Sequence, residues 1–146
     1  MIRLAAAADV EALAELRLAL WPDQPLAQRR AEAEERVARS DPRIETFVAV
    51  AQDEVAGFAE VSLRSDYVNG CETSPVAFLE GIFVRPSGRR RGFGRALVAA
   101  VEQWGREQGC TELASDALLD NNQSHRFHGG AGFEETVRVV YFRKPL

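Results

Sequence analysis

The chain has 146 residues, 46% of them hydrophobic and 27% charged, with a net charge of −4. That length suits one domain spanning 1–146 with ample core material, and the charge content excludes a fibrous or disordered chain. Net acidity argues against a general nucleic-acid binder, no apolar run approaches the ~18 residues of a membrane span, and two cysteines exclude a disulfide scaffold or a four-cysteine zinc site.

Asp9 and Glu11 interrupt the apolar N-terminus, so no secretory signal is expected. The two scattered thiols, Cys71 and Cys110, fit a reducing cytoplasm. Residues 2–4 read as a short strand. Asp9 is placed to cap a helix striped by Val10, Leu13, Leu16 and Leu20, which Trp21-Pro22 ends. A second, Glu/Arg-rich helix is expected over about 26–40, its charges mostly solvated. Residues 46–52 and 55–64 then read as a hairpin, with Val55, Ala59, Val61 and Leu63 on one face and Phe58, Glu60, Ser62 and Arg64 on the other. A loop over 65–75 precedes the near-continuous apolar run 76–84 (VAFLEGIFV), the pattern of a strand covered on both faces. A basic turn leads into a helix over 93–108, striped by Leu97, Val98, Val101 and Trp104 and stopped by Gly109. A strand at 111–115, a short helix at about 121–131 and a closing pair of β-like runs over 134–144 complete the chain. The expected fold class is α+β, with helices around a mixed sheet.

The strongest chemical signal is the strand–turn–helix over 82–95. A helix start carries unpaired N–H groups and the positive end of its dipole. Gly92 and Gly94 let an anion approach that backbone, and Arg89, Arg90, Arg91 and Arg95 surround it. The result is a cradle for pyrophosphate, although neither GxxxxGK[ST] nor GxGxxG is present. His125 and His128 stand three residues apart with no carboxylate at matching helical spacing, so no metal site is expected.

Arg89-x-x-Gly92-x-Gly94 after Ile82-Phe83-Val84 resembles the acetyl-CoA signature of the GNAT N-acetyltransferase superfamily. Asn121, Ser124, His128 and Gly132-Phe133 extend the likeness, as does the β-α-α-β-β-β-α-β-α-β order. Within that superfamily the stretches DYVNGCE (66–72) and FLEGIFV (78–84) closely resemble the aminoglycoside 6′-N-acetyltransferases, as do Leu20-Trp21-Pro22, Ala114-Ser115-Asp116 and 132–136.

The resemblance implies acetyl transfer from acetyl-CoA to the 6′-amine of aminoglycoside antibiotics, resistance, a cytoplasmic homodimer, and no membrane or nucleic-acid partner. It places the cofactor's pyrophosphate on Arg89, Arg90, Arg91, Gly92, Phe93, Gly94 and Arg95. Its pantetheine arm lies along Ile82, Phe83 and Val84, near Asn121 and His128. Glu80 would bind the reacting ammonium and accept its proton. From the residues alone, an ion pair with an arginine of a neighbouring strand explains Glu80 as well. Asp116, Trp21, Tyr67 and Gln24 would contact the drug, and His128 would protonate the departing thiolate. Relatives carry a glutamate where Val137 stands, thought to reach a neighbouring subunit's site. Gly129-Gly130 predicts a short last helix. Acetylation of another small amine or a peptide N-terminus is the nearest alternative, and a non-catalytic acyl-CoA-binding module is a second.

Overall fold

A computed structural model describes residues 1–146. Its elements are β1 (Ile2–Leu4), α1 (Val10–Leu20), α2 (Leu26–Ala38), β2 (Ile44–Ala51), β3 (Glu54–Arg64), β4 (Val76–Val84), α3 (Phe93–Glu107), β5 (Leu113–Ser115) and α4 (Asn122–Gly130). The strands form one sheet in the order β1-β2-β3-β4-β5. Pairing is antiparallel from β1 to β4 and parallel between β4 and β5, which the α3 crossover joins.

Each face of the sheet meets a different helical layer. Ala59, Val61, Ala77 and Leu79 pack with the predicted stripe of α3, Leu97, Val98, Val101 and Trp104. On the other face Val48 and Phe58 pack with Leu13 and Leu16 of α1 and Ala33 of α2. The alternation of β3 therefore describes two buried faces rather than one buried and one wet. Val55 departs from the expected pattern and packs with the Phe58 cluster. The ladder shift between Ala49 and Val50 lies opposite it.

Three further expectations need correction. Asp9 does not cap α1. Its carboxylate accepts the Ala6 N–H at 2.7 Å and a two-pronged contact from Arg3, closing a short 3₁₀ turn instead. The charges of α2 are not mainly solvated, because Arg29 is buried and Arg36 and Glu32 join an ion-pair network. Residues 134–144 form no strand, and Val137, Val139, Val140, Tyr141 and Phe142 all stand exposed. Such a β-like run asks for a neighbouring strand, and it joins none of the five strands of the sheet.

Candidate active site

β4 changes character at Glu80. Leu79 pairs with Val61 of β3, and Gly81 pairs with Glu60, so Glu80 is an extra residue without a register partner. A bulge of this kind bends a strand and re-aims its side chain. On the opposite edge, Leu79–Ser115 is the last pair with β5. The backbone from Glu80 to Val84 therefore runs on with no strand on that edge. Only Val76 to Leu79 are buried; Glu80 to Val84 are partly open. The strand expected to be covered on both faces is covered over its first half alone.

At the far end of that open edge lies the basic turn. Gly92 sits at φ +83° before α3, and nothing lies within 4 Å of where its side chain would project. The first backbone bond of the helix runs from Ala96 N–H to Gly92 O, which leaves the amides of Phe93, Gly94 and Arg95 directed outward. Arg90 and Arg91 are exposed beside them, as is Arg95. Arg89 donates to Val84 O at 3.0 Å and lies over the Phe83 ring, so it ties the turn to the end of β4. Gly94 has another role than the one expected. A Cβ there would stand 2.8 Å from the Phe127 ring, so its missing side chain makes room for α4. An open glycine, free amides and arginines fit a pyrophosphate, and the unpartnered β4 edge fits an extended amide-bearing arm.

Glu80 is not an orphan carboxylate. Arg64, from the neighbouring strand β3, donates to Oε1 and Oε2 at 3.0 and 2.8 Å, and Ser62 donates to Oε1. Its side chain is 29% exposed and opens on a groove of about 490 Å³. The groove is also lined by Trp21, Asp23, Ser62, Glu60 and the arginines 17, 29 and 36. Glu60 is 3% exposed and pairs with Arg17 and Arg36. Arg17 also binds Glu32, and Arg29 binds Glu32, Asp23 and Trp21 O. Burial works against the Glu32 carboxylate, but hydrogen bonds from Arg17, Arg29 and Gln28 outweigh it and hold the group at about 2. This network holds the guanidinium carbons of Arg17 and Arg29 against Trp21, 5.0 and 5.8 Å from its ring centre. Gly81 lets the same ring close on β4.

The other expected residues divide. Trp21 shares the groove with Glu80, whereas Gln24 and Tyr67 are exposed outside its lining. Asp116 is exposed one residue beyond the Leu79–Ser115 pair, at the same end of the sheet as Glu80. Asn121 caps α4, accepting the Ser124 N–H at 3.1 Å. His128 lies between the Phe127 and Phe133 rings, with Nε2 2.8 Å from Ser115 Oγ. Ser115, Arg64 and the Arg17–Glu60–Arg36 cluster were not singled out from sequence. Glu60, a carboxylate among Phe58, Ala59 and Val61, was the available signal.

A model of the acetyltransferase (GNAT) family matches residues 10–133. An aminoglycoside N(6′)-acetyltransferase type 1 of Stenotrophomonas maltophilia is 53% identical, with 99% of this chain and 93% of that protein covered. One from Serratia marcescens is 48% identical over 94% of each. Among solved structures, AAC(6′)-Iy in complex with the bisubstrate analogue CoA-S-monomethyl-acetylneamine superposes with a TM-score of 0.91. It is 44% identical, and the match covers 100% of this chain and 98% of that one. The apo 6′-N-acetyltransferase AAC(6′)-Ig of Acinetobacter haemolyticus gives 0.92 at 40% identity, covering 100% and 99%.

Proposed function

The chain belongs to the acetyltransferase (GNAT) family, and from that premise we propose how it works. It is an aminoglycoside 6′-N-acetyltransferase that uses acetyl-CoA as co-substrate. The observation that carries the site assignment is the bulge at Glu80. It puts a carboxylate where β4 parts from β5, at the start of the unpartnered edge that leads to the α3 cradle.

Acetyl-CoA, when bound, supplies the activated acetyl group. Gly92, the first amides of α3 and Arg90, Arg91 and Arg95 hold its pyrophosphate. The backbone of Ile82, Phe83 and Val84 holds its arm, and an N–H there polarises the thioester carbonyl. Trp21 walls the drug groove. Glu80 binds the 6′-ammonium through Oε2, which has only Arg64 as partner, and takes its proton directly or through water. Asp116 adds a second carboxylate for a polycation, with Tyr67 and Gln24 at its outer contacts. Asn121 starts the helix that sets His128, which supplies the proton for the leaving thiolate. The enzyme works as a cytoplasmic homodimer and confers resistance. The exposed apolar tail supports the dimer.

The test is CoA release against a panel of aminoglycosides, including one with a 6′-hydroxyl. Turnover with 6′-amino drugs and none with the 6′-hydroxyl analogue is expected. Rapid acetylation of that analogue would place the reacting amine elsewhere.

A further inference from the structure

Both ring nitrogens of His128 already have protein partners. Nδ1 lies 2.7 Å from Ser124 O, with Ser124 Oγ farther off at 3.2 Å. A carbonyl only accepts, so Nδ1 carries a proton whether the ring is neutral or charged. Any proton that His128 gains or gives is therefore the one on Nε2. Nε2 faces Ser115 Oγ at 2.8 Å.

Ser115 Oγ is also 3.1 Å from Leu79 O. A hydroxyl has one proton to place. With the ring neutral, Ser115 donates to Nε2 and gives nothing to Leu79 O. With the ring charged, Nε2–H donates to Ser115, whose own proton is then free for Leu79 O at 3.1 Å or for a stronger acceptor at the fork. Ser115 stands at the last β4–β5 pair, where the two strands part beside Glu80. Its hydroxyl is thus the histidine's outlet at the fork.

We propose that Ser115 is a catalytic residue, the group that hands the proton to the leaving thiolate, and that His128 acts through it. The inference rests on the reading of this site as an acetyl-CoA-dependent acetyltransferase. Ser115 gives its hydroxyl proton to the sulfur as the C–S bond breaks and the bonding pair stays on sulfur. Ser115 Oγ takes the Nε2 proton of His128 in the same step. The ring is left neutral, with its remaining proton on Nδ1 held by Ser124 O, and regains the Nε2 proton from solvent. Across the cycle the substrate ammonium loses two protons. One balances the thiol and one is released.

Two measurements test this. In steady state, Ser115→Ala and His128→Ala should each lower kcat by about 10²-fold, the low end of acid–base contributions. The KM for acetyl-CoA should stay within about twofold. Because the two act in series, the double variant should be no slower than the worse single by more than about twofold. Ser115→Thr, which keeps the hydroxyl, should recover most of the loss. The second measurement is ¹⁵N NMR of the histidine rings without any ligand. Neutral His128 should be the Nδ1–H tautomer, and Ser115→Ala should shift its Nε2 resonance. His125, whose Nε2 is 2.9 Å from Leu118 O, should be the opposite tautomer and serves as an internal reference. Retention of kcat within about threefold in Ser115→Ala, multiplicative losses in the double variant, or an Nε2–H tautomer at His128 would each overturn the relay. A wild-type chain that releases no CoA with any aminoglycoside would instead overturn the substrate reading. The ring resonances would still report whether Ser115 holds Nε2.

Discussion

Glu80 accepts from Ser62 and from both prongs of Arg64, yet Oε2 has a single donor. The ion pair and the substrate role that the sequence left as alternatives are therefore compatible. Arg64 orients the carboxylate, and the free side of Oε2 meets the ammonium. If Glu80 takes the proton, Glu80→Gln keeps the shape and loses the base. Its kcat should fall by ~10²–10⁴-fold at neutral pH and recover in part as rising pH supplies free amine. Retention within about threefold across the pH range would make Glu80 a binding carboxylate only. Its neighbour Gly81 supports the same site from behind. A Cβ there would stand 2.4 and 2.6 Å from two Trp21 ring atoms and 2.9 Å from Leu20 Cδ2. Gly81→Ala should cost about 1–3 kcal/mol in urea unfolding by overpacking, and should raise the KM for the drug more than that for acetyl-CoA as Trp21 swings out. An unchanged ratio of the two would remove Trp21 from the drug groove. Glu80 was legible because a carboxylate interrupts VAFLEGIFV. Arg64 was not, because a partner across a ladder depends on register, and here the register slips by one residue at Glu80 itself.

The helices show the same division at the scale of elements. The apolar stripe of α3 was legible because one sharp face meets one sheet, and Leu97, Val98, Val101 and Trp104 are all buried as their spacing requires. α2 was legible as a helix but not in its role. Its polar face looks solvated until α1 and β3 bring Arg17 and Glu60 beneath it. Those long-range pairings fix Trp21 and leave no local trace in the sequence. They also make α2 sensitive to acid. Glu32 is held near 2 when folded, below its ordinary value of 4.5, so its contribution is complete above about pH 5 and fades as pH falls towards 2. Its side chain is 26% exposed and partly screened by water, so the contribution is on the order of 1 kcal/mol. Denaturant unfolding should show Glu32→Gln less stable than wild type at pH 7, with the gap narrowing below about pH 5 and closing only towards pH 2. A gap that is constant over that range would mean that Glu32 acts through packing.

For the molecule as a whole, the unmet demand is at the C-terminal end. Tyr141 is 84% exposed and Phe142 93%, with Val137, Val139 and Val140 beside them. Uncovered apolar side chains in such a run mark an interface. The same residues make up the β-like runs from which strands are expected, and β5 offers an outer edge with no neighbour. A pattern read from one chain cannot distinguish a strand that pairs within it from one that pairs with a second copy, which is why this prediction failed within the chain. The proposed homodimer would resolve both facts if each tail lay against the partner. Sedimentation equilibrium should then give twice the 16.1 kDa of one chain at micromolar concentration. Tyr141→Glu combined with Phe142→Glu places two charges in the contact and should shift the mass to the monomer. Both side chains are almost fully exposed in their own chain, so far-UV circular dichroism should stay unchanged. A double variant that keeps the dimer mass would move the interface off the tail. A wild-type chain that sediments as a monomer would remove the dimer altogether and leave the apolar tail without a partner of its own kind.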